Sequence, residues 1–110
     1  MDGAQQPRYY VVFAETVFSS WAEVQQNAAL EVAQHIARSK QLHEEGTLLM
    51  SGAFLDRPDE PVATMGVLVS REAAEAYIRG DPFVLKGQVK RWYIREWANM
   101  FYVPPDQPTA

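Results

Sequence analysis

The hydrophobic pattern changes period along the chain, and each change marks an element. From Arg8 to Glu15 the residues are mostly β-branched or aromatic, and both alternating sets, Tyr9, Val11, Phe13 and Tyr10, Val12, Ala14, are apolar. That pattern predicts a strand covered on both faces. Trp21 to Glu45 then runs without proline or glycine, so a helix is expected over most of it, with an irregular first turn. Ser19 or Ser20 would cap it, Glu23 standing three residues after Ser20 as in a capping box, and Gly46 would stop it. Within this helix Ala29, Ala33 and Ile36 form one row, and Ala28, Val32, His35, Ser39 and Leu42 form the next.

Strand signals return in Thr47 to Leu55 and Val62 to Ser70, separated by the polar, two-proline segment Asp56 to Pro61, which reads as a hairpin with a long loop. Gly52 and Gly66 interrupt these strands, where a glycine usually marks a bulge or the close approach of a ligand or another backbone. Ser70 is placed to cap a second helix running to Gly80. Asp81-Pro82-Phe83 then starts a short helical turn ending near Gly87, since proline suits the first position of a helix and aspartate caps it. Val89 to Trp97 is the last long strand, again with large aromatics on both faces, and Asn99 to Val103 is expected to continue as a further strand or arm. These limits give a flexible N-terminus at 1–7, one domain at 8–103 and a flexible, proline-rich tail at 104–110.

The order strand, helix, strand, strand, helix, strand predicts an α+β, ferredoxin-like βαββαβ fold with an antiparallel sheet and both helices on one face. The other face would carry Tyr, Val, Phe and Trp side chains, more apolar surface than a monomer usually shows. A homodimer packed sheet to sheet, a dimeric α+β barrel, is therefore expected.

Composition narrows the function. The chain has 110 residues, one domain's worth, with ten basic side chains against fourteen acidic ones, a net charge of −4, and the basic ones are scattered. A nucleic-acid partner is not expected. Cysteine is absent, which removes disulfides, thiolate nucleophiles and cysteine zinc sites together. Two histidines without paired carboxylate spacing argue against a metal centre, and no glycine-rich phosphate loop or nucleophile elbow is present. No run approaches the roughly 18 apolar residues of a membrane span, and the first residues lack the basic and apolar regions of a secretory signal, so a cytoplasmic protein with no membrane partner is expected.

Two side chains carry the candidate chemistry. His35 stands at the border of the apolar stripe, where it is either a half-buried, satisfied side chain or a group aimed into a cleft. Asp81 is either a helix cap or a catalytic carboxylate. Ser51 can be an ordinary strand hydroxyl or a substrate contact, and Arg38 either a solvated helix residue or an attractor of an anionic substrate. His43, in the last turn of the helix, gains from the negative end of the helix dipole.

Gln34-His35-Ile36 followed by Gly46, then Leu48-Leu49-Met50-Ser51-Gly52, Gly66-Val67 and Asp81-Pro82-Phe83, resembles the YciI-like proteins over roughly Tyr9 to Trp97. The resemblance implies a small dimeric α+β barrel in which His35 and Asp81 form a catalytic dyad in a pocket, with Ser51 as a lesser candidate; Arg38 and Phe83 are further candidate substrate contacts. The implied activity is that of a cofactor-independent lyase or isomerase on a cyclic or aromatic metabolite, dehydrochlorinase-like or muconolactone-isomerase-like. One branch of the family eliminates chloride from a chlorinated hydroxyhydroquinone. Where the family often has an arginine, a proline and a second histidine around the first, this chain has Val32, Ala33 and Arg38. The competing reading is a non-catalytic homodimer that binds a small ligand or a partner protein; an enzyme requires His35 and Asp81 within hydrogen-bond reach of each other at a pocket.

Overall fold

Ser20 and Ser70 start the two helical regions as their hydroxyls suggest: Ser20 Oγ accepts from the Glu23 N–H at 3.1 Å and Ser70 Oγ from the Ala73 N–H at 3.0 Å. At the first of these starts the Glu23 carboxylate turns back to accept from the Ser19 N–H at 3.0 Å, one residue earlier than in a standard capping box. A computed structural model describes residues 7–101, which form β1 (Arg8–Thr16), α1 (Trp21–Asn27), α2 (Ala29–Glu44), β2 (Leu48–Ala53), β3 (Ala63–Leu68), α3 (Arg71–Arg79), α4 (Pro82–Leu85) and β4 (Val89–Ala98). The strands lie in the order β2-β3-β1-β4 and every neighbouring pair is antiparallel, which is the expected α+β, ferredoxin-like sheet.

The long helix differs from expectation in one respect that shapes the site. It breaks at Ala28, whose φ of −139° and ψ of 29° leave the helical region, while the Asn27 side chain donates back to the Glu23 carbonyl at 3.1 Å and closes α1. The break lets Val24 and Ala28 both bury against Phe18 and Phe83. Gly46, at φ +80°, takes the left-handed conformation that ends α2. His43 Nδ1, beyond its place near the helix end, donates to the Leu48 carbonyl at 2.8 Å and ties α2 to β2. Asn99 to Phe101 are not strand; Tyr102, Val103, the tail at 104–110 and residues 1–6 lie outside the described residues.

The main core lies between α3 and one sheet face, where Val12, Leu48, Leu68, Ala74, Tyr77 and Ile78 are buried together. Removing each large aliphatic side chain of this set from water contributes about 1.5 to 3 kcal/mol. On α2 the row Ala28, Val32, His35, Ser39, Leu42 faces the protein, and the row Ala29, Ala33, Ile36 is exposed. The opposite sheet face has no helix over it. There Phe13 stacks on its cross-strand partner Tyr93 with ring centroids 5.0 Å apart, Tyr9 meets Trp97 at 6.4 Å, and Tyr93 and Trp97 stay 49% and 47% exposed.

Candidate active site

Asp81 is fixed by the turn it starts. Pro82 supplies the first helical residue of α4, and Asp81, extended at φ −65° and ψ 134°, accepts the Phe83 N–H on Oδ2 at 3.0 Å. The second carboxylate oxygen remains. It meets His35 on α2: the Nδ1 to Oδ1 separation is 2.5 Å, with the Asp81 side chain 5% and the His35 side chain 25% exposed. A carboxylate can only accept there, so His35 carries its proton on Nδ1, which leaves Nε2 with the lone pair. Phe83 packs edge-on to the imidazole at 5.7 Å between ring centroids, and Tyr77 does so from α3 at 6.4 Å.

This pair stands in the wall of a cavity of about 300 Å³ between α1, α2 and the helix-covered face of the sheet, within the size range of small-ligand sites. Trp21, Val24, Val32, Ile36 and Phe83 make its lining mainly apolar, and Trp21 and Ile36 are the half-exposed residues among them. Ser51 reaches it because the irregular pairing of β2 between Leu48 and Met50 sets Ser51 opposite Gly66, on the helix side of the sheet. Four of the five side chains singled out in the sequence, His35, Asp81, Ser51 and Phe83, thus line one cavity.

Arg38 is not among them. Its guanidinium donates to the Tyr77 carbonyl at 2.7 Å and to the Ala76 carbonyl, which also accepts the Gly80 N–H, at 2.9 Å, at the C-terminal end of α3, and it lies over the Tyr77 ring at 5.7 Å. Gly80 makes room for it, since a Cβ there would stand 2.7 Å from a terminal guanidinium nitrogen. The expected attraction of an anionic substrate by Arg38 thus gives way to a helix-end contact. No lysine or arginine lines the cavity among the described residues.

Tyr77 is the lining residue that sequence reasoning passed over. It sits in the apolar run of α3, where an aromatic reads as core, and the hint was Gly66, a strand glycine directly beneath the ring. A Cβ on Gly66 would approach Tyr77 Cε2 to 3.2 Å and its hydroxyl oxygen to 3.4 Å. Burial pushes the Tyr77 phenol above its ordinary pKa and the Asp81 charge acts in the same direction, while the Ser39 hydroxyl and Arg38 oppose them. Ser39 Oγ adjoins the phenol but is buried with no aligned hydrogen bond. Among the described residues no cluster of three or more His, Cys, Asp or Glu could hold a metal ion, and no helix is long and apolar enough to cross a membrane.

The family model of the YCII-related domain matches residues 9–98. Among solved structures, 5-chloro-2-hydroxyhydroquinone dehydrochlorinase from Burkholderia phenoliruptrix, in complex with 2,5-dihydroxybenzoquinone, superposes with a TM-score of 0.58 at 14% identity, over 84% of this chain and 95% of that one. The cofactor-independent oxygenase SnoaB from Streptomyces nogalater gives 0.52 at 13% identity, over 89% and 98%. A protein from Mycobacterium tuberculosis gives 0.53 at 12%, over 88% and 99%. At these identities the likeness is one of fold. No curated protein sequence matches the chain.

Proposed function

The chain belongs to the YCII-related domain family, and from that premise we propose that it is a small-molecule enzyme, a cofactor-independent lyase or isomerase that moves a proton on a cyclic or aromatic compound. The observation that carries the proposal is the 2.5 Å contact between His35 Nδ1 and Asp81 Oδ1 in the wall of an apolar cavity. Asp81 holds the imidazole in one tautomer and orientation, and Nε2 takes the proton as general base and returns it as general acid. A positioned acid–base group of this kind contributes roughly 10²- to 10⁴-fold to a rate. Phe83 and the aliphatic walls seat the ring, and Ser51 offers a hydroxyl to a polar substituent. The bare sheet face, with Phe13, Tyr93 and Trp97 at its surface, supports assembly as a homodimer packed sheet to sheet.

The test is turnover. Hydroxylated quinones and chlorinated hydroquinones come first, because a structural neighbour holds 2,5-dihydroxybenzoquinone. With a substrate in hand, His35→Ala should remove most of the activity while the protein stays folded. Full turnover by that variant would end the acid–base reading.

A further inference from the structure

Within the cavity, His35 and Asp81 account for a proton but not for the oxygen whose charge changes when a carbon loses one. The phenol of Tyr77 is placed to deal with that oxygen. It projects from α3 across β3 at Gly66, where no side chain intervenes, and both residues line the cavity with Ser51 next to them in register. Its backbone and ring are held from α2 by Arg38. The Ser39 hydroxyl adjoins the phenol and opposes the rise in its pKa, and Ser39 Oγ has no other aligned partner among the described residues.

We propose that Tyr77 donates a hydrogen bond to a carbonyl or phenolic oxygen of the substrate, which makes the ligand an uncharged oxygenated ring bound between Tyr77 and His35. This rests on the acid–base reading of His35 and extends it to the substrate class. A tyrosine phenol is protonated at neutral pH, and burial of Tyr77 moves its pKa further up, so it acts as a donor. The absence of lysine and arginine from the lining among the described residues, with Asp81 nearby, favours a neutral ligand over an anionic one. The chemistry balances without a co-reactant. His35 Nε2 takes the proton from the carbon next to the carbonyl; the C–H electron pair forms the new C=C bond, and the carbonyl π pair moves onto oxygen, where the Tyr77 O–H stabilises the enolate. When the carbonyl re-forms, the enolate's C=C pair either forms a new C=C bond to the adjacent carbon as a leaving group departs from it with its bonding pair, or, where that adjacent carbon already carries a C=C bond, moves along it so that the far carbon takes the proton back from His35 and the double bond shifts, giving an isomer.

Binding of 4-nitrophenol in its neutral form, compared with 4-nitrotoluene, isolates the oxygen contact from the ring contacts. The wild-type protein should bind the phenol about tenfold more tightly than the toluene, the usual weight of one hydrogen bond to a buried partner. Tyr77→Phe should bind the two equally, and Gly66→Ala, which presses on the phenol without removing it, should also lower the ratio. An unchanged ratio in a folded Tyr77→Phe protein overturns the proposal; so do an unchanged ratio in Gly66→Ala should Tyr77→Phe fail to fold, and a wild-type protein that binds neither ring. The ratio should survive His35→Ala, so the oxygen contact and the acid–base reading fail separately.

Discussion

His35 and Asp81 meet across two helices that are far apart in sequence, and Asp81 divides its carboxylate between them: Oδ1 takes the imidazole at 2.5 Å and Oδ2 takes the Phe83 N–H at 3.0 Å. One side chain therefore does both of the jobs that the sequence leaves open for it. The cap fixes the carboxylate, and the fixed carboxylate orients the imidazole.

Asp81→Asn separates the two roles. Asparagine caps a helix about as well as aspartate, so thermal unfolding should shift little from this cause. With its oxygen on the Phe83 N–H, however, the amide presents N–H₂ to His35 Nδ1. That reverses the tautomer, puts the proton on Nε2 and disables the base. The expected outcome is a folded protein with turnover reduced by roughly 10²- to 10⁴-fold. Asp81→Ala should lose the cap as well, at a cost of about 1 kcal/mol in denaturant unfolding.

If the two residues act as one unit, their losses do not add. His35→Ala combined with Asp81→Asn should be only slightly slower than the worse single variant, because the carboxylate acts through the imidazole. Steady-state kinetics on the four proteins would show it, and a multiplicative double variant would mean the two contribute separately.

Arg38 is expected to matter for stability and for the position of Tyr77. Arg38→Ala leaves the Ala76 and Tyr77 carbonyls without their charged donor and should cost about 1.5 to 3 kcal/mol in chemical denaturation. Gly80→Ala should lower stability by less, since the guanidinium is the flexible end of a long side chain and can step aside at the expense of those bonds. A stable Arg38→Ala protein would show that solvent satisfies the end of α3 equally well.

The strands, the caps at Ser20 and Ser70, the stop at Gly46 and the start at Asp81-Pro82 were legible because each is set by residues within a few positions. The helix-facing row of α2 was legible from its spacing, and with it the direction of His35. Three features depended on contacts distant in sequence. The break at Ala28 is fixed by what Val24 and Ala28 bury against, and alanine itself favours helix. Arg38 turns to α3 because the Tyr77 and Ala76 carbonyls lie within its reach there, which its own neighbours on the helix do not reveal. Tyr77 reads as core until Gly66 is seen beneath it.

The uncovered sheet face makes the last prediction. Val11 and Val67 are buried there even in the single chain, sheltered by an aromatic layer that is itself half-exposed: Tyr93 at 49%, Trp97 at 47%, with Met50 at 53% on the neighbouring strand pair. Phe13, whose two-faced strand suggested a buried aromatic, is only partly covered by its stack on Tyr93. If the chain stays single, Phe13→Ala removes one side of an exposed stack and should cost on the order of 1 kcal/mol. If two copies pack sheet to sheet, Phe13 becomes core and the loss should rise to roughly 3 to 5 kcal/mol. The dimer also predicts a melting temperature that climbs with protein concentration, because folding and association are then linked. Replacing Tyr93 with Glu should abolish that dependence by placing a carboxylate from each copy into the same two-fold interface. Light scattering that gives the single-chain mass at micromolar concentration, together with a concentration-independent melt, would sink the dimer and leave Phe13 and Tyr93 as surface residues.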